Sequence, residues 1–584
     1  MRSFFKNVLA NIVAIVILCV LFFFFFIIML VFSSMGSDKS VVVKKNSVLT
    51  INLKTKIIDS PTEEEMGLFG ISGQNKNILL YDVLEAINKA KTDDNIKGIS
   101  IEADDLNAGL TQIDDLRNAI QDFKKSGKFV YAYGNGVSQS AYYLGSVADQ
   151  YYLNPSGGIE LKGLSTEVTF LKGFADKYGI GIEVIRHGKF KSAVEPFLRN
   201  DISPENKEQL STLLNDLWKN TSNKMAASRK IDTAQFRTVV DSLYGMIPEL
   251  GLKYKLADKL IQKTEYEDLI KSKLSLKDKE KLNKISVASY ISSYSDDDAS
   301  GEKVAVLYAS GSINNGDGYN DINSERYVKY IKKLQDDDKV KAVVFRINSP
   351  GGSANASDEI LFELQQLKKK KPLVVSFGDY AASGGYYIAM AADKIYSEPN
   401  TLTGSIGVFG VMPYYKDIAN KNGIRADIVS TNANSMYYSG LNGVSPYGVN
   451  MMTRSVEGTY KRFVHFVTQN RKKSFEEIDN VGGGRVWSGT RAKEIGLVDE
   501  LGTLNDAVKF AAQKAGLKSY NVDSFPKKMS PFEQIFKDLN EEDVSARVIK
   551  SKIGKSNYEI LQQITDKKLQ SEVKMEMPYQ IRVN

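Results

Sequence analysis

The 584-residue sequence holds a single cysteine, Cys19, and two histidines, His187 and His465. One cysteine, lying in an apolar run near the N-terminus, excludes an intrachain disulfide, so the chain is stabilised by its cores alone. Two histidines leave few candidates for a Ser–His–Asp triad. The net charge of +7 is small for this length, and no basic block is interleaved with aromatics, which removes the case for nucleic-acid binding. The densest basic run, Lys368–Lys371, follows an expected helix over Ser357–Leu367 and reads as a solvated face where cations suit the helix C-terminus. No cofactor and no metal are expected. What is present, 42% hydrophobic and 25% charged residues, is the composition of a folded globular chain of two or more domains.

One long apolar run stands out. Ile12 to Phe32 contains no polar residue other than Cys19 and includes five consecutive phenylalanines from Phe22. Its 21 residues suffice to span a bilayer as a helix and exceed the apolar core of a cleavable signal. Arg2 and Lys6 precede it and favour a cytoplasmic N-terminus, while Lys39, Lys44 and Lys45 weaken that preference. Residues 1–33 are therefore read as an uncleaved N-terminal anchor, with a connector over 34–77 and the remainder outside.

Beyond the connector the sequence repeats itself at an offset of 244 residues. Asp94-Asn95-Ile96-Lys97-Gly98 pairs with Asp338-Lys339-Val340-Lys341-Ala342. Tyr142, Tyr143, Asp149, Tyr152 and Pro155 pair with Tyr386, Tyr387, Asp393, Tyr396 and Pro399. Each copy is long enough for its own core, so this is a duplication and not a solenoid. In the second copy, strands over Val304–Tyr308, Ala342–Ile347 and Leu373–Phe377 alternate with helices over Ser324–Leu334 and Ser357–Leu367. That order predicts an α/β fold of right-handed βαβ units around largely parallel sheets. In the first copy, Ser203-Pro204 marks a helix start that runs through Leu213 and Trp218. The expected boundaries are 78–285 for the first repeat, 286–302 for a charged, Ser-rich linker, 303–515 for the second repeat and 516–584 for a C-terminal extension.

Chemistry is expected where the copies differ. Gly378–Ala382 reads as a turn after a buried strand, and Ser383 opens the following helix before Gly384 and Gly385. In isolation such a serine reads as an N-cap. Its partner in copy one, however, is Gln139, a change that a structural cap gives no reason for. Likewise Asn348-Ser349-Pro350-Gly351-Gly352-Ser353, whose glycines let a backbone approach closely, is answered by Asp104-Asp105-Leu106-Asn107-Ala108-Gly109. A serine nucleophile requires a base. His465 falls in a helical run, Tyr460–Asn470, and reads as a helix-surface or packing residue. Lys191 lies in copy one, and the same offset pairs it with Ser435. A buried lysine gives up its proton and can serve as the base of a Ser–Lys pair, so each copy has kept the group the other lost.

These residues resemble one family. SPGGS (Ser349–Ser353), ASGGYYIA around Ser383, TGSIGV (Thr403–Val408), GKFKSAVEPF (Gly188–Phe197) and GLVDELG (Gly496–Gly502) are similar to signal peptide peptidase A in its long tandem-repeat form, protease IV. The resemblance covers Lys45 to about Gln513. It implies two tandem ClpP/crotonase-like repeats behind the transmembrane helix, a closed ring of about four subunits in the bacterial inner membrane with the catalytic part on the external side, and cleavage of remnant signal peptides and other extended apolar peptides. It further implies Ser383 as nucleophile, Lys191 as general base, Ser405 as the residue orienting the lysine, and the backbone N–H groups of Gly352 and Gly384 as oxyanion donors. A crotonase-like enzyme acting on an acyl thioester, a non-catalytic membrane scaffold and a His187 base are the competing readings.

Overall fold

The computed structural model describes residues 11–22, 25, 41–52, 56–61, 77–277, 279–294, 301–318, 321–527 and 573–577. The expected span Ile12–Phe32 lies partly outside them. Residues 11–22 are helical and exposed, and among the described residues no helix is long and apolar enough to cross a membrane.

Two sheets carry the two repeats. The first runs Lys259–Leu260, Gln150–Ile159, Phe129–Val137, Ile96–Ile101, Ser47–Ile51, Lys284–Ser286, with every pair parallel. The second runs Val486–Ser488, Leu402–Gly404, Leu373–Ala382, Val340–Ser349, Lys303–Ser310, Asn521–Phe525, parallel except at the Val486–Ser488 edge. Parallel strands are covered on both faces, which explains why Lys303–Ser310 and Val340–Ser349 read as near-continuous apolar runs. Val304, Val306, Val343, Phe345 and Val375 are all fully buried. Each such side chain contributes about 1.5–3 kcal/mol over an exposed one.

The duplication is visible in the elements. Helices starting at Leu80, Leu110 and Lys172 recur at Ser324, Ala354 and Lys416, and strands starting at Ile96, Phe129 and Gln150 recur at Val340, Leu373 and Lys394. By the long helices Pro204–Arg229 and Pro446–Arg471 the spacing has fallen by two residues. The pairing of Lys191 with Ser435 sits inside that slip, so element register does not establish it. Ser203 does cap its helix, accepting from the Asn206 N–H. Lys284–Ser286 and the helix Val287–Ile291 pack onto the first sheet.

Two expectations are corrected. Gly378–Ala382 is not a turn: the strand continues through Leu373–Ala382, because Tyr380–Ala382 find partners in Leu402–Gly404. Lys371 also departs from the solvated reading, since its Nζ donates to the carbonyls of Leu334 and Asp337 at 2.6 Å each. Lys368–Lys370 are exposed as expected.

The repeats meet along a polar seam. The Thr111 N–H and hydroxyl both donate to Asp379 Oδ1, at 2.9 and 3.0 Å, and Asn400 Nδ2 donates to Asp114 at 2.6 Å. Arg346, fully buried, donates to the Phe377 carbonyl and lies 3.6 Å from Asp59 and 3.4 Å from Glu398. One strand then crosses over: Gly181–His187 of the first half pairs antiparallel with Val408–Tyr414 of the second, from His187 opposite Val408 to Gly181 opposite Tyr414. That pairing carries the loop after His187 to the mouth of the second sheet.

Candidate active site

Ser383 stands between the strand Leu373–Ala382 and the short helix Gly384–Ile388. Its backbone takes φ 55° and ψ −115°, and its side chain makes no cap hydrogen bond. A non-glycine residue at positive φ is strained, and such strain marks places where a side chain must be aimed. The N-cap reading of Ser383 thus falls. The backbone is held by its N–H donating to the Gly404 carbonyl at 2.8 Å.

Lys191 comes from the first repeat and reaches that hydroxyl within the same chain. Its Nζ lies 2.7 Å from Ser383 Oγ and 3.0 Å from Ser405 Oγ, and donates to the Ser405 carbonyl at 3.2 Å. Ser405 is also at positive φ, 51°, with its N–H donating to the Arg485 carbonyl. Lys191 is fully buried. Burial disfavours its charged form and holds the amine down to about 7, against a smaller opposing pull from the Glu576 carboxylate. At neutral pH a large fraction is therefore unprotonated and able to accept a proton.

The turn Gly351–Ser353 faces the start of the serine helix. Gly351 has φ +104° and Gly352 φ +155°. A Cβ on Gly351 would come within 2.7 Å of the Gly384 nitrogen, so the glycine turn and the helix start lie side by side. Gly384 opens the helix, where an N–H has no intrahelical acceptor. The glycine turn and the N-terminal end of the serine helix are thus neighbours, the arrangement in which backbone N–H groups can serve as oxyanion donors.

His187 is elsewhere engaged. Its ring stacks on Tyr460 with centroids 3.8 Å apart, and His465 is exposed on the helix Pro446–Arg471 beside Phe466. Among the described residues no cluster of three or more His, Cys, Asp or Glu is arranged to hold a metal ion.

Sequence reasoning missed the glycines that wall in the lysine. A Cβ on Gly484, at φ +84°, would lie 2.6 Å from Lys191 Cβ, and one on Gly407 would lie 2.7 Å from Gly484 Cα and 3.2 Å from Lys191 Cδ. The run Gly482-Gly483-Gly484 was a visible signal for close backbone approach. The strand Lys574–Glu576, from an extension to which no role was given, also reaches the site and carried no such signal.

Residues 122–277 and 365–518 match Peptidase family S49, and residues 295–403 match the family described as Clp protease. The chain belongs to peptidase family S49. It is 36% identical over 494 residues to Protease 4 of Salmonella typhi, covering 82% of this chain and 80% of that one. It is 34% identical over 503 residues to Protease 4 of Haemophilus influenzae, covering 82% and 81%. It is also 32% identical over 492 residues to the chloroplastic serine protease SPPA of Arabidopsis thaliana, covering 81% and 70%. The protein is thus a serine peptidase of tandem S49 repeats with largely parallel, ClpP-like α/β sheets, as the motifs implied.

Proposed function

We propose that this S49 peptidase is a membrane-anchored endopeptidase that hydrolyses remnant signal peptides through a Ser383–Lys191 dyad. The observation that carries the reading is the 2.7 Å contact between a fully buried lysine amine and a serine hydroxyl at a strained strand–helix junction. Neutral Lys191 accepts the Ser383 proton as Oγ attacks the peptide carbonyl carbon. The N–H groups of Gly352 and Gly384 take the negative charge of the tetrahedral oxygen, a contribution of about 3 kcal/mol per donor. Lys191 then returns the proton to the departing amine, and water hydrolyses the acyl-serine by the same route. Ser405 keeps the amine aimed through both its hydroxyl and its carbonyl.

Ile12–Phe32 supports the anchoring, which puts the catalytic part on the external side of a bacterial inner membrane by the Arg2 and Lys6 preference. The expected assembly is a homotetramer. Extended apolar peptides suit the site, because a scissile bond inside a helix is inaccessible. The test is hydrolysis of a synthetic signal peptide by the full chain in detergent micelles. Ser383→Ala and Lys191→Ala are expected to be inactive and His187→Ala active. Activity surviving Ser383→Ala, or lost in His187→Ala but kept in Lys191→Ala, would sink the dyad. Light scattering on the same sample measures the subunit number.

A further inference from the structure

We propose that Glu195 is the positioning residue of the base: its buried carboxylate ties the loop that carries Lys191 to the helix that packs behind Ser383. This rests on the Ser383–Lys191 reading. Glu195 belongs to the motif GKFKSAVEPF (Gly188–Phe197), of which the proposed chemistry uses only Lys191.

Lys191 is delivered by a tight turn and not by a regular element. Its backbone takes φ −75° and ψ 72°, and the Ser192 N–H donates to the Phe190 carbonyl at 2.8 Å. That is an inverse γ-turn, three residues closed by a single hydrogen bond. Support comes from Arg186, whose Nη1 donates to the Lys191 carbonyl at 3.3 Å. The same Nη1 lies 3.9 Å from Glu195 Oε1.

Glu195 is 1% exposed, a setting in which a carboxylate persists only with partners. It accepts from the Ser203 hydroxyl at 2.5 Å, from the Ser203 N–H at 3.4 Å and from Asn206 Nδ2 at 3.1 Å. Ser203 caps the helix Pro204–Arg229, so the carboxylate also sits at the helix end that favours negative charge. Further along that helix Gln209, likewise buried, accepts from the Val486 N–H at 2.9 Å and donates to the Ser192 hydroxyl at 3.4 Å. Leu213 and Leu217 of the same helix pack with Leu402, Val486 and Ala382, the residue before Ser383. Nucleophile and base are thus joined through Ala382, the helix, Glu195, Arg186 and the Lys191 carbonyl. The carboxylate whose charge reaches the amine is that of Glu576, so the part of Glu195 is place and not charge.

The second repeat separates the general from the particular. Ser445 caps Pro446–Arg471 as Ser203 caps its helix, accepting from the Gly448 N–H. Opposite Glu195 stands Tyr437 by the spacing of the two caps, or Ser439 by the offset of the earlier elements, and opposite Asn206 stands Gly448. The helix start needs no carboxylate. What the first repeat adds is the tie to the lysine loop.

The test uses the full chain in detergent micelles with a synthetic signal peptide, read as kcat and KM from pH 5 to 9 beside thermal melts. Glu195→Ala is expected to lower kcat about 10–100-fold with KM little changed, as for a misplaced catalytic group. The acid limb of its kcat/KM should move up from about 7 by about one pH unit, because an amine that leaves its enclosed seat regains water. Arg186→Met is expected to do the same, and the double variant to be no worse than either single one, since both act through one carbonyl. Arg186 is at a more exposed position, so it carries the test should Glu195→Ala not fold. Ser445→Ala, which removes the corresponding cap in the second repeat, should melt earlier with kcat and the acid limb unmoved. An early melt in Glu195→Ala or Arg186→Met with the native kcat and limb, or losses that add in the double variant, would overturn the proposal and leave the dyad standing. Hydrolysis kept by Lys191→Met would instead strike the dyad.

Discussion

At one helix start the two repeats solve the same backbone problem in opposite ways. In the first, Ser138 caps conventionally, at φ −67° and with its hydroxyl accepting from the Ala141 N–H. The next residue, Gln139, turns its amide inward. Its Oε1 accepts from the N–H groups of Lys162 and Gly163 at 3.0 and 2.8 Å, and its Nε2 donates to the Gly163 carbonyl at 3.0 Å. In the second repeat the corresponding residue is Ser383, which forgoes the cap and faces Gly407, the counterpart of Gly163. One neutral amide closes what a hydroxyl and a buried amine hold open. The clefts differ too. The first keeps an open cavity of about 710 Å³ lined by Asp104, Asp105 and Glu160, while its counterpart holds Val573–Met577. The positive-φ backbone of Ser383 coincides with its contact to Lys191 from the other repeat.

The sharpest way to break this contrast is to remove the hydroxyl or the amine. Ser383→Ala and Lys191→Met are each expected to lower kcat/KM by about 10⁴-fold or more, with thermal melts confirming the fold. Lys191→Arg should not rescue, because a guanidinium stays protonated. The reciprocal change, Gln139→Ser, should create no second active centre, since the lysine beside it, Lys162, has its amine on Glu160 Oε1 at 2.7 Å; peptide hydrolysis by the double variant Ser383→Ala/Gln139→Ser checks it.

Next in size is the pH profile. Lys191 is held down to about 7, and only its neutral form accepts a proton, so kcat/KM should fall about ten-fold per pH unit below 7 and level off above it. A profile flat from pH 5 to 8 would contradict a buried lysine base. Gly484→Ala probes the wall behind that lysine. The added methyl meets Lys191 Cβ, and a loss of about 10–100-fold in kcat with little change in KM is expected from the displaced amine.

The seam should report on stability instead of rate. Burial first, then the neighbouring Asp59, pushes Asp379 up to about 6, and burial also raises the carboxyls of Asp115 and Glu398. The folded chain thus keeps protons that the unfolded chain releases, so this stabilisation is present at low pH and fades as pH rises through the folded value. Between about pH 4 and 6 native Asp379 should lose about 3 kcal/mol of its contribution, and Asp379→Asn should remove that slope from the melting curves. The smallest expected effect is Gln139→Ala: about 1–3 kcal/mol from the orphaned Gly163 and Lys162 groups, with peptidase activity unchanged.

Much of the site was legible because duplication supplies an internal control. Ser383 and the paired glycines emerged as places where one copy departs from the other, whereas Lys191 entered through a constant-offset pairing that the elements do not support. What stayed hidden had no such control. The continuation of the strand through Gly378–Ala382 depends on partners in Leu402–Gly404, far along the chain. The slip of two residues before Pro446 blurs any counterpart for Lys191. Val573–Met577 lies in an extension that neither repeat contains.

The sequence by itself determined the α/β alternation, the two repeats, and which copy kept the hydroxyl and which the amine, because hydrophobic period and residue identity are local properties. Only the tertiary structure decided that these groups meet within one chain. That meeting depends on the antiparallel pairing of Gly181–His187 with Val408–Tyr414, and backbone hydrogen bonds between distant strands are chosen by packing and not by any residue alone.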